Sequence, residues 1–503
     1  MFRINTIIIV IFITLMMWAE TSKSQTAHLP APYEAMIASL NQRTKAPEWF
    51  KDAKLGIYFH WGLYSVPAYN GWYGKWMHEP DAPDWAKGTY EYHQEHYGDP
   101  SVFGYHHFMP MFKAEEYDPA DWVNIFQKAG AKFAGMVVQH HDGYAMWNSE
   151  ANPNNAYRTG PKRDLAGDYF KAAEAAGFKT LATFHHALTM RLPDKKTGEL
   201  KGFYLPNEKY FTSTDDPKLK WLYGNVTREE FIPYWEKLVY EVVDNYHPDM
   251  IWFDSDSWRI PEQNLLNVFA HHANDLAIQG KEGVVFTKEK TRLEGIRVLD
   301  KEQGGLIEMP EDYWMTDITI ANETWSYEHT QTYKPIDLMI RNMIDVWSKR
   351  GIVLLNVSPT ASGIINQEQR DRLNALGEWM DTFGEAIYGT RAHAIYGYGD
   401  AAHETGTHAE QSATIKYSEN DVRFTKSKDG NTLYVFLLGQ PKAGTVLKIQ
   451  HVLDGMPDKK IKTVSQMGSD QKVTWKHKDA LSIKAPNPSE GNKIATVFKV
   501  ELK

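Results

Sequence analysis

The stretch Pro119–Gly143, PADWVNIFQKAGAKFAGMVVQHHDG, decides the fold. It reads as a helix over Pro119–Lys128, a glycine suited to a left-handed cap at Gly130, an apolar strand over Phe133–Gln139, and a polar tail, His140-His141-Asp142-Gly143. The same order recurs along the chain. Helices are expected at Asp164–Ala176, Phe231–Tyr246, Glu262–Ile278 and Ile336–Arg350, with cap glycines at Gly177, Gly280 and Gly351. Strands are expected at Leu55–His60, Lys179–His185, Met250–Asp254, Gly283–Thr287 and Ile352–Val357. Short apolar runs alternating with helical segments are the mark of repeated βα units around a parallel sheet. The regular helix-glycine-strand order predicts an α/β fold of the closed (β/α)8-like, TIM-type kind. An open doubly wound sheet is disfavoured, because no glycine-rich phosphate loop follows the first strand and Gly62 and Gly71 do not make one.

Past residue 390 the texture changes. Alternating runs at Thr432–Leu438 and Thr445–Gln450, with turn signals such as Asp429-Gly430, predict a C-terminal β-sandwich over residues 391–503. It is read as a brace for the barrel, with Lys459, Lys460 and Lys462 on a solvated face. At the other end, Arg3, an apolar run from Ile7 to Trp18 and a polar stretch to Gln25 read as a secretory signal peptide over residues 1–24, leaving a barrel of residues 25–390. That run is too short for a spanning helix of about 20 residues. The chain has 503 residues, 42% of them apolar, and no cysteine, so neither disulfides nor a lipoprotein anchor is expected. A secreted or periplasmic protein with no membrane span after signal removal follows; its assembly is left open, a homo-oligomer included. A net charge of -9 and the lack of a Lys/Arg stripe argue against nucleic acid as a partner.

In a β/α barrel, chemistry sits where the strands end. The expected strands end in Phe59-His60-Trp61-Gly62, Gln139-His140-His141-Asp142, Phe184-His185-His186 and Trp252-Phe253-Asp254, each a polar group beside an aromatic. That mixture suits a sugar, whose C–H face stacks on rings while its hydroxyls need fixed donors and acceptors. Asp254 is placed to attack an anomeric carbon, and retention of configuration needs a second carboxyl about 5 Å away. Glu302, in Val298–Gly305, is the candidate partner, although spacing alone does not select it over Asp300, Glu308 or Glu311. A zinc site from His60, His140, His185 and Asp254 is the rival. It is disfavoured here because adjacent histidines on a strand point to opposite faces and no HxH pair or HExxH helix is present.

The runs Gly56–Ala68, His140–Tyr144, Trp252–Asp254, Leu354–Gly363 and Gly384–Arg391 resemble, in this order, the α-L-fucosidases of glycoside hydrolase family 29. The resemblance covers roughly residues 35 to 395. It implies a catalytic barrel with a C-terminal β-sandwich, a retaining exo-acting fucosidase, a fucosylated oligo- or polysaccharide substrate, and neither metal nor cofactor. By the same resemblance Asp254 is the nucleophile and Glu302 the acid/base, with Glu302 expected to carry a raised pKa beside the Asp254 anion. His60, His140, His141, His185, Trp72, Trp252 and Trp325 contact the sugar, Trp325 by stacking on its C6 methyl group. Gly71 stands where the family has Glu, and His185 where many members have Tyr, which bears on sugar preference; Arg292 and Arg297 are left open between holding the charge of Glu302 or a sugar hydroxyl and being surface cations. A metal-dependent hydrolase on the same barrel and an inactive fucose-binding module are the alternative functions.

Overall fold

The computed structural model describes residues 32–193, 196–204, 216–254, 257–288, 293–401, 415–487 and 492–503; the expected signal peptide and Arg292 lie outside them. Eight parallel strands close into a ring: β1 (Leu55–Phe59), β2 (Phe133–Gln139), β3 (Lys179–Phe184), β4 (Met250–Phe253), β5 (Val284–Thr287), β6 (Val298–Asp300), β7 (Trp314–Thr319) and β8 (Gly351–Val357). Their order is sequential, and β1 pairs with β8 in the register Leu55↔Val353 to Phe59↔Val357, which completes the circle.

Both faces of these strands are covered, so their residues are almost all buried and the two faces divide by parity. Tyr58, Val137, Trp252, Phe286, Met315 and Leu354 fill the barrel interior, closed at the bottom by Phe50. Ile57, Phe59, Met136, Val138, Ile251 and Phe253 point outward to the helices. This two-sided burial explains why the expected strands are continuous apolar runs rather than alternating ones.

Six of the eight strands lie where the sequence placed them, and β6 and β7 were not anticipated. Val298–Asp300 is only three residues long, and Trp314–Thr319 interleaves Thr316, Asp317 and Thr319 with apolar residues. Their polar members face the functional end of the barrel, and that diluted the hydrophobic signal. Gly130, Gly177 and Gly280 adopt the left-handed conformation expected of caps, with φ of 91°, 80° and 68°. Gly351 does not. Arg350 takes the left-handed position (φ 65°) and Gly351 opens β8, where a Cβ would come 2.3 Å from Val346 and 2.9 Å from Trp314; the glycine is needed for close packing.

Residues from 391 onward form two antiparallel sheets packed face to face. The larger comprises β9 (Arg391–Tyr398), β10 (Val422–Lys426), β11 (Thr432–Leu437), β13 (Ile461–Gln466) and β16 (Thr496–Leu502), in the order β9-β10-β11-β16-β13. The smaller comprises β12 (Val446–Ile449), β14 (Thr474–His477) and β15 (Leu481–Lys484), with β15 in the middle. Phe424, Val435 and Phe498 meet Ile449 and Ile483 between the sheets. On the opposite face of the larger sheet, Tyr434, Phe436 and Val497 join the barrel's outer core. Among the described residues no helix is long and apolar enough to cross a membrane.

One buried charge cluster ties the sandwich to the barrel. Asp345, in the helix Ile336–Ser348, accepts from Arg423 Nε of β10 at 2.5 Å and from Lys349 Nζ at 2.8 Å, and all three side chains are at most 1% exposed. Removing the anion leaves two buried cations facing each other, and breaking such a cluster costs about 3–5 kcal/mol. Asp345→Asn is therefore expected to lower the urea midpoint by the equivalent of that range; a change below about 1 kcal/mol would show that the cluster does not hold the two domains together.

Candidate active site

Closure of the barrel gathers eight strand ends on one rim. His60 follows β1, His140 and His141 follow β2, His185 follows β3, Asp254 follows β4 and Lys288 follows β5. Glu302 lies two residues beyond β6, while Asp317 and Asn356 are the late residues of β7 and β8. The backbone ladder extends one step past the strands and holds the first of these groups: His60 N donates to Val357 O (3.3 Å), His185 N to Gln139 O (3.0 Å) and Asp254 N to Phe184 O (3.1 Å).

Asp254 is the centre of the array. Its Oδ1 lies 2.5 Å from Lys288 Nζ, and its Oδ2 lies 3.1 Å from His185 Nδ1 and 3.5 Å from His141 Nε2. Burial works to raise its pKa, but the Lys288 ammonium and then His185 outweigh it and hold the carboxyl well below the usual range. Asp254 is accordingly ionised. Lys288 Nζ also lies 2.9 Å from Glu302 Oε2, so one ammonium bridges the two carboxylates the sequence singled out. Their oxygens can be no farther apart than those two contacts laid end to end.

Two further buried carboxyls lie beneath the same lysine. Asp317 Oδ2 is 3.5 Å and Asp300 Oδ2 is 4.0 Å from Lys288 Nζ, and Tyr58 OH donates to Asp317 Oδ2 at 3.4 Å. One ammonium among four carboxyls cannot neutralise them all. Burial, with the neighbouring Asp317, pushes Asp300 well above the usual range, and burial lifts Asp317 to about 7 against the pull of Lys288. Asp300 therefore carries a proton and donates it to Asp317. Lys288 itself is held protonated, since Asp254 and Asp317 outweigh its desolvation.

His60, His140 and His185 are neutral hydrogen-bonding groups. Asn356 Oδ1 accepts from His60 N (3.1 Å) and His60 Nδ1 (2.7 Å), while its Nδ2 donates to Trp325 O (2.7 Å). That network fixes the amide, puts the His60 proton on Nδ1 and leaves Nε2 as an acceptor. Burial lowers His60 to about 3 and His140 well below its usual value. His185 is also lowered by burial, against the pull of Asp254. His141 Nδ1 donates to the His185 carbonyl. Trp72 packs on His141 (4.9 Å between centroids) and on Phe203 (5.3 Å), and Trp325 packs on His60 (5.5 Å).

The structure thus brings Asp254, Glu302, His60, His140, His141, His185, Trp72 and Trp325 to one rim. Trp252 is 0% exposed and belongs to the barrel interior; it supports the site from below, its ring 5.5 Å from His185 and 5.2 Å from Lys288 Nζ. Arg297 enters β6 at its N-terminal end, away from the rim. At Gly71 a Cβ would come 2.9 Å from Ser326 Oγ, so a longer residue there requires Ser326 to move. The expectation that the histidines diverge is overturned. Nitrogens of His60, His140 and His185 lie within 4.8 Å of one another, as do ligand atoms of His141, His185 and Asp254. Each histidine pair comes from different strands, so alternation along one strand does not separate them.

Lys288, Asp317 and Asn356 were not singled out from sequence. Lys288 follows the expected strand Gly283–Thr287 directly, and the strand-end rule applied there would have found it.

This arrangement has known counterparts. The profile of the Alpha-L-fucosidase family matches residues 20–385. The chain belongs to the alpha-L-fucosidase family. Among similar members, the alpha-L-fucosidase of Branchiostoma floridae is 29% identical over 374 residues, 70% of this chain and 74% of that one. The plasma alpha-L-fucosidase of Homo sapiens is 26% identical over 434 residues, 83% of this chain and 81% of the relative. The crystal structure of Thermotoga maritima alpha-fucosidase in complex with fucose superposes with a TM-score of 0.69 at 28% identity, covering 93% of this chain and all of the other. Family membership agrees with the closed barrel and the sandwich described above, and with a glycoside hydrolase.

Neutral buried histidines make this family member acid-labile. His60 and His186 have native pKa values near 3, against an unfolded value near 6.5, and Asp254 is also depressed. Between those values the unfolded chain binds protons that the native chain does not, so the stability conferred is present above about pH 6.5 and lost as pH falls. The raised carboxyls of Asp300 and Asp317 work in the opposite direction over the same range; thermal melts from pH 7 to pH 4 are expected to show a falling midpoint, and a midpoint that rises on acidification would show that the carboxyls outweigh the histidines.

Proposed function

We propose that the chain is a retaining exo-α-L-fucosidase that releases terminal α-L-fucosyl residues from oligo- or polysaccharides. The observation that carries this reading is the single Lys288 ammonium bonded to both Asp254 and Glu302. It keeps the two bridged oxygens close together, which supports the retaining spacing of about 5–5.5 Å over the inverting one of about 6.5–9.5 Å.

In the first step Asp254 attacks the anomeric carbon while Glu302 gives a proton to the departing glycosidic oxygen. In the second, Glu302 takes a proton from water, which displaces Asp254 and restores the configuration. His60 Nε2 accepts from a sugar hydroxyl, its opposite nitrogen being held by Asn356. Trp72 and Trp325 offer apolar faces for the C–H edges. Lys288 stands between the two carboxyls, where the anomeric centre must come, so sugar entry moves its ammonium toward Asp317 and Asp300. The barrel interior, filled by Tyr58 and Trp252, closes the bottom of the site.

Activity on 4-nitrophenyl α-L-fucoside is expected to fall by about 10²–10⁴-fold in Glu302→Ala and further in Asp254→Ala. Azide should rescue both, giving β-fucosyl azide from Asp254→Ala and α-fucosyl azide from Glu302→Ala; the same anomer from both would exclude these roles. The converging histidine nitrogens favour one second reading, a divalent-metal hydrolase. Full activity after dialysis against EDTA would dismiss it, and loss with recovery on zinc would establish it. An inert binding module would keep fucose affinity in Asp254→Asn and turn over nothing as wild type.

Lys288 holds Asp254 in its ionised form against the penalty of burial. In Lys288→Met the Asp254 pKa is expected to rise, so the acid limb of the kcat/KM profile should move to higher pH. An unmoved acid limb would show that the histidines suffice.

A further inference from the structure

Trp85 leaves 59% of its surface in water, whereas eight of the sixteen described tryptophans are buried. The residue is nonetheless rigidly built. It sits in the single turn Asp84–Ala86, and its carbonyl accepts from Asn70 Nδ2 at 3.2 Å. The other end of the same amide accepts from Trp72 N at 2.7 Å. One buried asparagine thus fixes both the pocket-lining Trp72 and the exposed Trp85.

The rings follow the same path. Trp85 meets Trp72 edge-on at 5.9 Å and 80°, and Trp76 at 5.6 Å and 85°. Trp72 in turn meets His141 at 4.9 Å, and His141 Nε2 lies 3.5 Å from the Asp254 carboxylate. Lys75 Nζ lies 4.5 Å over Trp76 and 5.6 Å over Trp72. An aromatic path therefore runs from the nucleophile to the rim and ends in an indole held on edge by its neighbours. A flat apolar face in that setting matches the C–H face of a pyranose.

We propose that Trp85 is a platform for a pyranose on the leaving-group side of the scissile bond, which makes fucosylated oligosaccharides, rather than fucosides of small aglycones, the substrate class of this site. The proposal rests on the glycosidase reading above. It adds a subsite outside the fucose pocket, built on a surface that the catalytic groups do not occupy.

The test compares kcat/KM for a fucosyllactose with that for α-L-fucosyl fluoride, whose leaving group is too small to reach Trp85. In Trp85→Ala the ratio of the two is expected to fall about five- to tenfold, the worth of one ring stacking on one aromatic face. Trp85→Phe, which keeps an aromatic face, should recover most of that loss. An unchanged ratio in a folded Trp85→Ala would overturn the proposal, as would an equal loss in Trp85→Phe. If wild type hydrolyses neither substrate, the glycosidase reading fails by itself. The platform is then judged by saturation-transfer NMR with lactose: a transfer signal that vanishes in Trp85→Ala upholds it, and a signal indifferent to Trp85 refutes it.

Discussion

The pairing of β1 with β8 turns eight strands into a ring, and the site depends on that closure. In an open sheet His60 and Asn356 would lie on opposite edges. In the ring they are hydrogen-bonded neighbours, and Asn356 carries the constraint onward to the Trp325 main chain. Parallel strands also point every C-terminal end the same way, so closure concentrates polar groups at one mouth while the interior below stays apolar. Trp252 illustrates the division. Two residues before Asp254, it belongs wholly to the core and offers its ring to Lys288 from beneath.

Closure creates an electrostatic problem that the site resolves internally. Four carboxyls converge on one lysine in a region with little water to screen them. A shared proton on the Asp300–Asp317 pair reduces the charge, and the ammonium goes to Asp254 and Glu302. His60, His140 and His185 cooperate by remaining neutral, so they present donors or acceptors instead of adding positive charge to the cavity.

Among the described residues the sandwich contributes no side chain to this rim; it packs against the outer helices. The larger sheet has two apolar faces, one turned to the smaller sheet and one to the barrel, and Arg423 reaches from it to Asp345 in the helix that precedes β8. That helix sets the position of the strand closing the ring. A brace at this point steadies the closure on which the site relies.

The sequence by itself determined the repeating βα units, the change to β structure near residue 390, and Asp254 as a carboxylate at the barrel mouth. Each rests on local information: apolar runs, cap glycines, alternation, and one carboxylate at the end of a buried strand. Glu302 was legible only with the help of family likeness, because β6 is three residues long and its polar context hid the strand that presents it. What the tertiary structure alone decided is what lies between distant segments: the convergence of histidines from three strands, the proton shared by Asp300 and Asp317, and the bridging of Asp254 and Glu302 by Lys288. These are relations among residues far apart in the chain. Local propensity carries no record of them, since they come into being only when the last strand meets the first.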